Sequence, residues 1–457
     1  MRILYIDIDS LRPDHLGCYG YGRPTSPNID RIASEGVRFT NCYASDMPCL
    51  PSRTSLFTGR LGIHHGCVAH SGTRAELFPE GPQRSFRSTL SRTNWMRQLR
   101  NAGLRTATFS CFGERHSAWH WYAGFDEIHD TGGFGHKIAE EFTHRVHDWL
   151  GRNGSDDNWF LHVNFWDVHT PPRTPEAFGV PFADQPLPDP WLTQETLDRD
   201  RRQPGNRSPE KNFIIQHAAK YPKLNPSALA TLQDVKLMHD GYDGAILYTD
   251  RQIGRFLDIL ERQGVLDDTA IIISADHGEC LGELNAYGGH CFADHCTGRI
   301  PLIVRWPRVT DATAGSAADD LIYNIDLAAT VTDLVGQKLP AAWDARSMTG
   351  ALRGEPVGRH YLVVSQLAQS KQRAVRFRDG GADYLYIRTY AAGDYRMPEE
   401  LLFDVGADPH EQADLAEARS GVLIQARKQL DAWVADALKG SVHGDPLNTV
   451  LKERAGF

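Results

Sequence analysis

Three short apolar runs, each handing an acidic or imidazole side chain to its carboxyl end, constrain this chain more than any other feature. Residues 3–8 lead into Asp9, residues 159–165 into Asp167 and His169, and residues 270–275 into Asp276-His277-Gly278. Between the last two runs, Ile246, Leu247, Ile253, Phe256, Leu257 and Leu260 recur at helical spacing, with Gly264 as the stop. Strand, helix, strand at this rhythm predicts an α/β fold with a mainly parallel sheet sandwiched by helices. In such sheets ligands gather beyond the carboxyl ends of the strands. Asp9, His169, Asp276 and His277 fall there.

Two regions break the rhythm. Residues 170–226 are rich in Pro, Asp, Arg and Gln and carry little periodicity, which predicts a surface insertion forming a lid or rim. From 346 onward, short alternating runs at 361–365, 374–378 and 384–389 precede a helix near 419–438, predicting a small antiparallel sheet with one helix. The expected division is therefore a catalytic unit over 1–345 and a smaller unit over 346–457; 457 residues are more than one small core needs. A formal charge of −9 gives the chain no attraction for nucleic acid or an anionic membrane, so an anionic substrate must be held by local positive charge. No apolar run is long enough to span a bilayer. Residues 1–9 read as a strand and not as a basic leader with an apolar core, and eight cysteines are scattered along the chain. Both point to a cytoplasmic protein with reduced thiols.

The segment Pro48-Cys49-Leu50-Pro51-Ser52-Arg53-Thr54-Ser55-Leu56-Phe57-Thr58-Gly59-Arg60 carries the chemistry. Ser52 is a suitable N-cap and Gly59 a suitable C-cap, so a short helix is predicted from Arg53. Cys49 would then precede a helix N-terminus, where free N–H groups favour an anion, and Arg53 would add a guanidinium. A lone cysteine in such a place is more often structural. The run Cys-x-Pro-Ser-Arg followed by Thr58-Gly59, however, closely resembles the signature of the type I sulfatases, of the alkaline-phosphatase-like superfamily. In that family this cysteine is oxidised to formylglycine. The resemblance continues through residues 9–20, Thr25-Ser26-Pro27-Asn28-Ile29-Asp30, Ser274-Ala275-Asp276-His277-Gly278-Glu279, Arg299-Ile300-Pro301-Leu302-Ile303, and 400–415.

What the resemblance implies is a sulfate ester hydrolase with one divalent cation, Ca²⁺ first and Mg²⁺ or Mn²⁺ as alternatives. Its ligands would be Asp9, Asp276, His277 and the modified Cys49. It also implies a formylglycine-generating or maturase enzyme as a partner, and no nucleic acid or membrane partner. Three positions depart from the family pattern. Ser10 stands where a second acid or amide is usual, and two expected lysines are missing. In the segment of the first, His116 takes the family's histidine role with Arg115 nearby; the place of the second falls to His290; His169 is the strand-end histidine before proline. The catalytic set is thus Cys49, Arg53, His116, His169 and His290. One hydroxyl of the hydrated formylglycine would attack sulfur, assisted by Arg53 and the cation. His169 or His290 would protonate the departing oxygen, and His116 would take the proton of the second hydroxyl as sulfate leaves. Cysteines and histidines over 290–296 fit no common zinc spacing. Trp119, Trp121, Tyr122 and Trp166 suggest either a sugar platform or core packing, which makes a small or carbohydrate sulfate ester the expected substrate. The rival is a phosphonate monoester or phosphodiester hydrolase of the same superfamily, because a sulfate monoester and a phosphate diester share one negative charge on a tetrahedral centre. A non-catalytic binding protein on the same scaffold would have lost several of these residues, and all are present.

Overall fold

The structure, a computed structural model, describes residues 1–83, 85–211 and 220–448. Its strands in chain order are β1 (Arg2–Ile8), β2 (Val37–Tyr43), β3 (Asp46–Met47), β4 (Arg105–Phe109), β5 (Glu127–His129), β6 (Trp159–Phe165), β7 (Thr269–Ser274), β8 (Cys280–Leu281), β9 (Tyr287–Gly289), β10 (Arg299–Arg305), β11 (Ser316–Ala318), β12 (Ile322–Tyr323), β13 (Tyr361–Leu367), β14 (Lys371–Asp379), β15 (Ala382–Ala391) and β16 (Glu400–Asp404). The large sheet runs β11-β2-β10-β7-β1-β6-β4-β5, with β12 also on β2. β1 pairs in parallel with both β6 and β7, and β10 runs antiparallel to β7 and β2. The central strands are buried along their whole length because helices cover both faces, which is why they read as continuous apolar runs in the sequence.

Side-chain alternation separates the faces. Tyr5 packs on Trp95 and Phe160, on the side that meets the helices Cys49–Thr58 and Trp95–Asn101. Phe165 turns the other way, onto Phe142 and Phe256 of the helices Glu140–Asn153 and Leu232–Arg262. The second of these starts well before the apolar periodicity near 246 suggests. Thr231 and Asp234 form a reciprocal capping box, and a helix of 31 residues follows. Asp250 on that helix accepts from the N–H groups of Asn28 and Ile29, binding the N-terminus of the helix Pro27–Ser34.

The second sheet is β16-β15-β14-β13-β3, antiparallel except where β13 meets β3, with the helix Ser420–Ala437 against it. Its edge strand β3 lies two residues before Cys49 in sequence, so the small sheet is tied directly to the start of the cysteine helix. Within 170–226, residues 212–219 fall outside the described residues. The rest holds the helix Gln194–Arg201 and is anchored by Arg173 donating to the Trp166 carbonyl and Tyr287 to Asp200 (3.0 Å). All eight cysteines are free, and no helix among the described residues is long and apolar enough to cross a membrane.

Candidate active site around Cys49

The helix carrying Cys49 begins at that residue and ends at Thr58, with Pro48 as N-cap and Gly59 at φ 68° as C-cap. This corrects the expected start at Arg53. Pro51 sits in the first turn, where its missing N–H is no loss, so the helix extends one turn further back than Ser52 suggests. Ser52 does not cap. Its hydroxyl donates to the Asp276 carbonyl (2.6 Å) and accepts from Asn324 (3.0 Å), which fixes the cysteine helix to the segment after β7.

Under Cys49 lies a dry charged centre. Arg53 donates through Nε and Nη2 to the two oxygens of Asp7 (2.7 and 3.0 Å), and through Nη1 to Asp9 (2.8 Å) and Asp276 (2.6 Å). None of the four side chains is more than 3% exposed. Arg53 was expected to face a bound anion; instead all of these hydrogen bonds go to carboxylates. Asp7 shares a strand face with Asp9 but lies about 7 Å from it along the chain, so sequence reading assigns it no ligand role; the structure makes it the partner of Arg53. It is also 3.3 Å from His162 Nε2. Burial drives Asp276 well above the usual carboxylate range, and Asp9 and Asp7 push it further than Arg53 can offset. Asp9 is just as buried, but Arg53, His169 and His277 hold it well below that range. Ser10 adopts φ 61°; its hydroxyl donates to Asp9 (2.9 Å) and its N–H to Asp276 (3.2 Å).

The ligating atoms of Asp9, Cys49, Asp276 and His277 all lie within 4.8 Å of one another. His277 Nδ1 bonds the Gly278 carbonyl (2.8 Å), so it must carry the proton, and Nε2 presents its lone pair 3.1 Å from Cys49 Sγ. Counted as ionised, three buried carboxylates against one guanidinium leave a formal deficit of two positive charges. A divalent cation at Asp9 and Asp276 fits that donor set.

Above Cys49 the site is lined with imidazoles. His277 and His290 ring centres are 4.3 Å apart, His169 and His290 5.6 Å, and His70 and His116 5.0 Å. His70 was not anticipated. No periodicity or motif marks it, and only the loop after the cysteine helix brings it within 4.8 Å of Cys49 and His116 as a potential ligand group. Burial, then the neighbouring His70 and arginines, pushes His116 down to about 2. His290 Nδ1 has no hydrogen-bond partner and faces Glu279 Oε2 at 3.6 Å, an oxygen equally unpartnered. Burial raises Glu279 above its usual range. His169 Nδ1 donates to the Thr170 carbonyl (2.7 Å). Trp166 is 2% exposed and sandwiched between Arg53 (5.1 Å) and Arg115 (4.7 Å). With Trp121 also buried, two of the four candidate platform rings belong to the core, whereas Trp119 and Tyr122 are half-buried. Residues 290–296 diverge: His290 joins the site, His295 bonds Tyr43 (2.8 Å) and Cys291 meets Tyr395 (3.5 Å).

With this geometry, comparison with known proteins is direct. The sulfatase family profile matches residues 2–337. The chain belongs to the sulfatase family. A second profile, N-sulphoglucosamine sulphohydrolase C-terminal, matches residues 290–433. Among individual sulfatases, the N-acetylglucosamine-6-O-sulfatase of Bacteroides thetaiotaomicron is 26% identical over 91% of this chain and 82% of its own. A chain solved with its substrate D-glucosamine-2-N,6-O-disulfate superposes with a TM-score of 0.73 at 21% identity, covering 99% of both. The phosphonate monoester hydrolase of Silicibacter pomeroyi gives 0.70 at 21%, covering 97% and 96%. These likenesses establish the alkaline-phosphatase-like fold, and the family match makes the protein a sulfatase, a hydrolase of sulfate esters.

Proposed function

We propose that this sulfatase removes sulfate from a small sulfated carbohydrate, using formylglycine made from Cys49 by a formylglycine-generating or maturase enzyme and one divalent cation. The observation that carries the reading is the buried deficit of positive charge beneath Cys49. Asp9, Asp276, His277 and the modified Cys49 would hold the cation, Ca²⁺ before Mg²⁺ or Mn²⁺. When bound, it neutralises the ester oxygens, while the formylglycine hydrate supplies two hydroxyls on one carbon.

The chain's own residues do the rest. Arg53 is locked by Asp7, keeps Asp9 ionised, and aims Asp9 and Asp276 at one point. His290, neutral because of its burial, donates the Nε2 proton to the departing sugar oxygen and takes one at Nδ1 from the Glu279 carboxyl; His169, its Nδ1 tied to a carbonyl, orients that oxygen through Nε2. His116 is neutral across the physiological range and so accepts a proton from the second hydroxyl. The cited relatives acting on amino-sugar sulfates support the carbohydrate class. The test is a panel of sulfated monosaccharides, with an aryl sulfate and an aryl phosphonate for comparison. It uses protein matured alongside a formylglycine-generating enzyme, its Cys49 peptide weighed. Turnover of a sugar sulfate that is lost with a chelator and restored by Ca²⁺ is expected. A retained thiol in active protein, or faster phosphonate than sulfate hydrolysis, would overturn the reading.

A further inference from the structure

Behind the turn that follows β1, three side chains from distant segments converge. His15 comes from the turn Pro13–His15, Asp189 from the 170–226 insertion and His239 from the helix Leu232–Arg262, and their ligating atoms lie within 4.8 Å of one another. Tyr242 separates them from the Cys49 site: its hydroxyl bridges the Ser10 carbonyl and the Arg12 N–H, and its ring stands edge-on to His15 at 5.0 Å.

The outer nitrogens decide what the inner ones present. His15 Nδ1 is 2.7 Å from Asp243, a carboxylate that also receives Tyr21 (2.6 Å) and Arg23 (2.7 Å), so Nδ1 is the donor and Nε2 carries a lone pair. His239 Nε2 meets the Leu281 carbonyl at 3.2 Å, which can only accept, so His239 Nδ1 carries a lone pair as well. That Nδ1 belongs to a fully buried side chain, has no hydrogen-bond partner, and lies 3.3 Å from Asp189 Oδ2. Two lone pairs gathered within 4.8 Å of a carboxylate repel it unless a proton or a metal cation stands among them. Protonating His239 would place a charge where burial already lowers its basicity. The nearby cations are otherwise engaged: Arg23 binds Asp243 and Asp240, Lys236 binds Asp240, and His410 sits between Glu283 (3.0 Å) and the other Asp189 oxygen (3.6 Å).

We infer that His15, Asp189 and His239 form a second metal site, distinct from the one at Cys49, that takes Zn²⁺. Two imidazoles and one carboxylate suit zinc, whereas calcium needs six or more oxygens. A tetrahedral centre with bonds of about 2.0–2.1 Å separates its ligands by roughly 3.3–3.4 Å, close to the His239–Asp189 distance. The carboxylate behind His15 and the carbonyl behind His239 are the outer partners that fix tautomers at metal-bound histidines. Zinc here would pin the insertion to the long helix and to the turn leading into Asp9.

The test uses the full chain loaded with Zn²⁺ and then desalted, with metal counted by mass spectrometry and thermal unfolding followed alongside. Cys49→Ala removes the thiol that could bind zinc at the catalytic cluster. About one zinc per chain is expected in Cys49→Ala, with a higher unfolding midpoint, and loss of both effects when Asp189→Asn or His239→Gln is added to Cys49→Ala. X-ray absorption of zinc in Cys49→Ala should report a nitrogen and oxygen shell with scattering from two imidazoles, where Asp9, Asp276 and His277 would supply one. This reads the site even if the other variants fail to fold. The inference falls if loaded Cys49→Ala holds no zinc, if adding Asp189→Asn or His239→Gln to Cys49→Ala leaves the zinc in place, or if the shell holds sulfur or only one imidazole. None of these readouts depends on sulfatase activity.

Discussion

Below Cys49, Arg53 makes four hydrogen bonds to three carboxylates in a space closed to solvent, and above it His116 and His290 each keep a ring nitrogen without a partner. The lower group is tightly bound: moving Arg53 breaks charge-assisted hydrogen bonds to three buried carboxylates at once. The upper group is half-open and under-bonded, so its imidazoles are free to meet a substrate and to exchange protons with it. The proposed binding face, built from under-bonded imidazoles, thus sits on a buried centre held by four charge-assisted hydrogen bonds.

The sharpest break of that contrast is at the nucleophile. Cys49→Ala should lower kcat by about 10⁴-fold or more on a sugar sulfate, with an unchanged unfolding midpoint; a milder loss would mean that the chemistry does not run through this side chain. Arg53→Met should cost about 3–5 kcal/mol in denaturant unfolding, because three carboxylates stay buried around an apolar chain. A cost below about 1 kcal/mol would show the lower centre to be as tolerant as the upper. His290→Ala should leave stability nearly unchanged yet slow kcat by about 10²–10⁴-fold on a sugar sulfate, and less on an aryl sulfate whose leaving group needs no proton. Equal losses on both substrates would contradict a proton-donor role. His116→Ala should cost about 10²-fold. Since His116 stays neutral down to about 2, the wild-type kcat/KM profile between pH 5 and 8 should contain no limb that disappears in this variant.

The unfolding equilibrium has its own sign. His116 binds its proton far more weakly folded than unfolded, so the unfolded chain gains protons below the ordinary histidine range. Its contribution to stability is present above about pH 6.5 and declines as the pH falls below that value. His116→Ala should flatten the acid side of a plot of unfolding midpoint against pH, and an unchanged slope would argue against a neutral buried imidazole.

Much of the sheet was legible because burial on both faces leaves a local record: β1, β6 and β7 are apolar along nearly their whole length and end in polar groups. The small antiparallel sheet and its helix also wrote their alternation into residues 361–389 and 420–437. Asp9, Cys49, Asp276 and His277 could be named from local motifs because each sits where a strand or helix begins or ends. What could not be read was who meets whom. His70 lies in a loop with no periodicity, Asp7 looks like one more strand residue, and Asp189 belongs to an irregular insertion. Their roles come from contacts across tens to hundreds of residues, which chain closure sets and local propensity does not record. The sequence alone determined the element types, the cysteine motif and the strand-end acids, since these depend on neighbours along the chain. Only the tertiary structure decided that Arg53 joins three carboxylates and that the histidines form one rim, because charge and lone-pair balance are properties of a point in space.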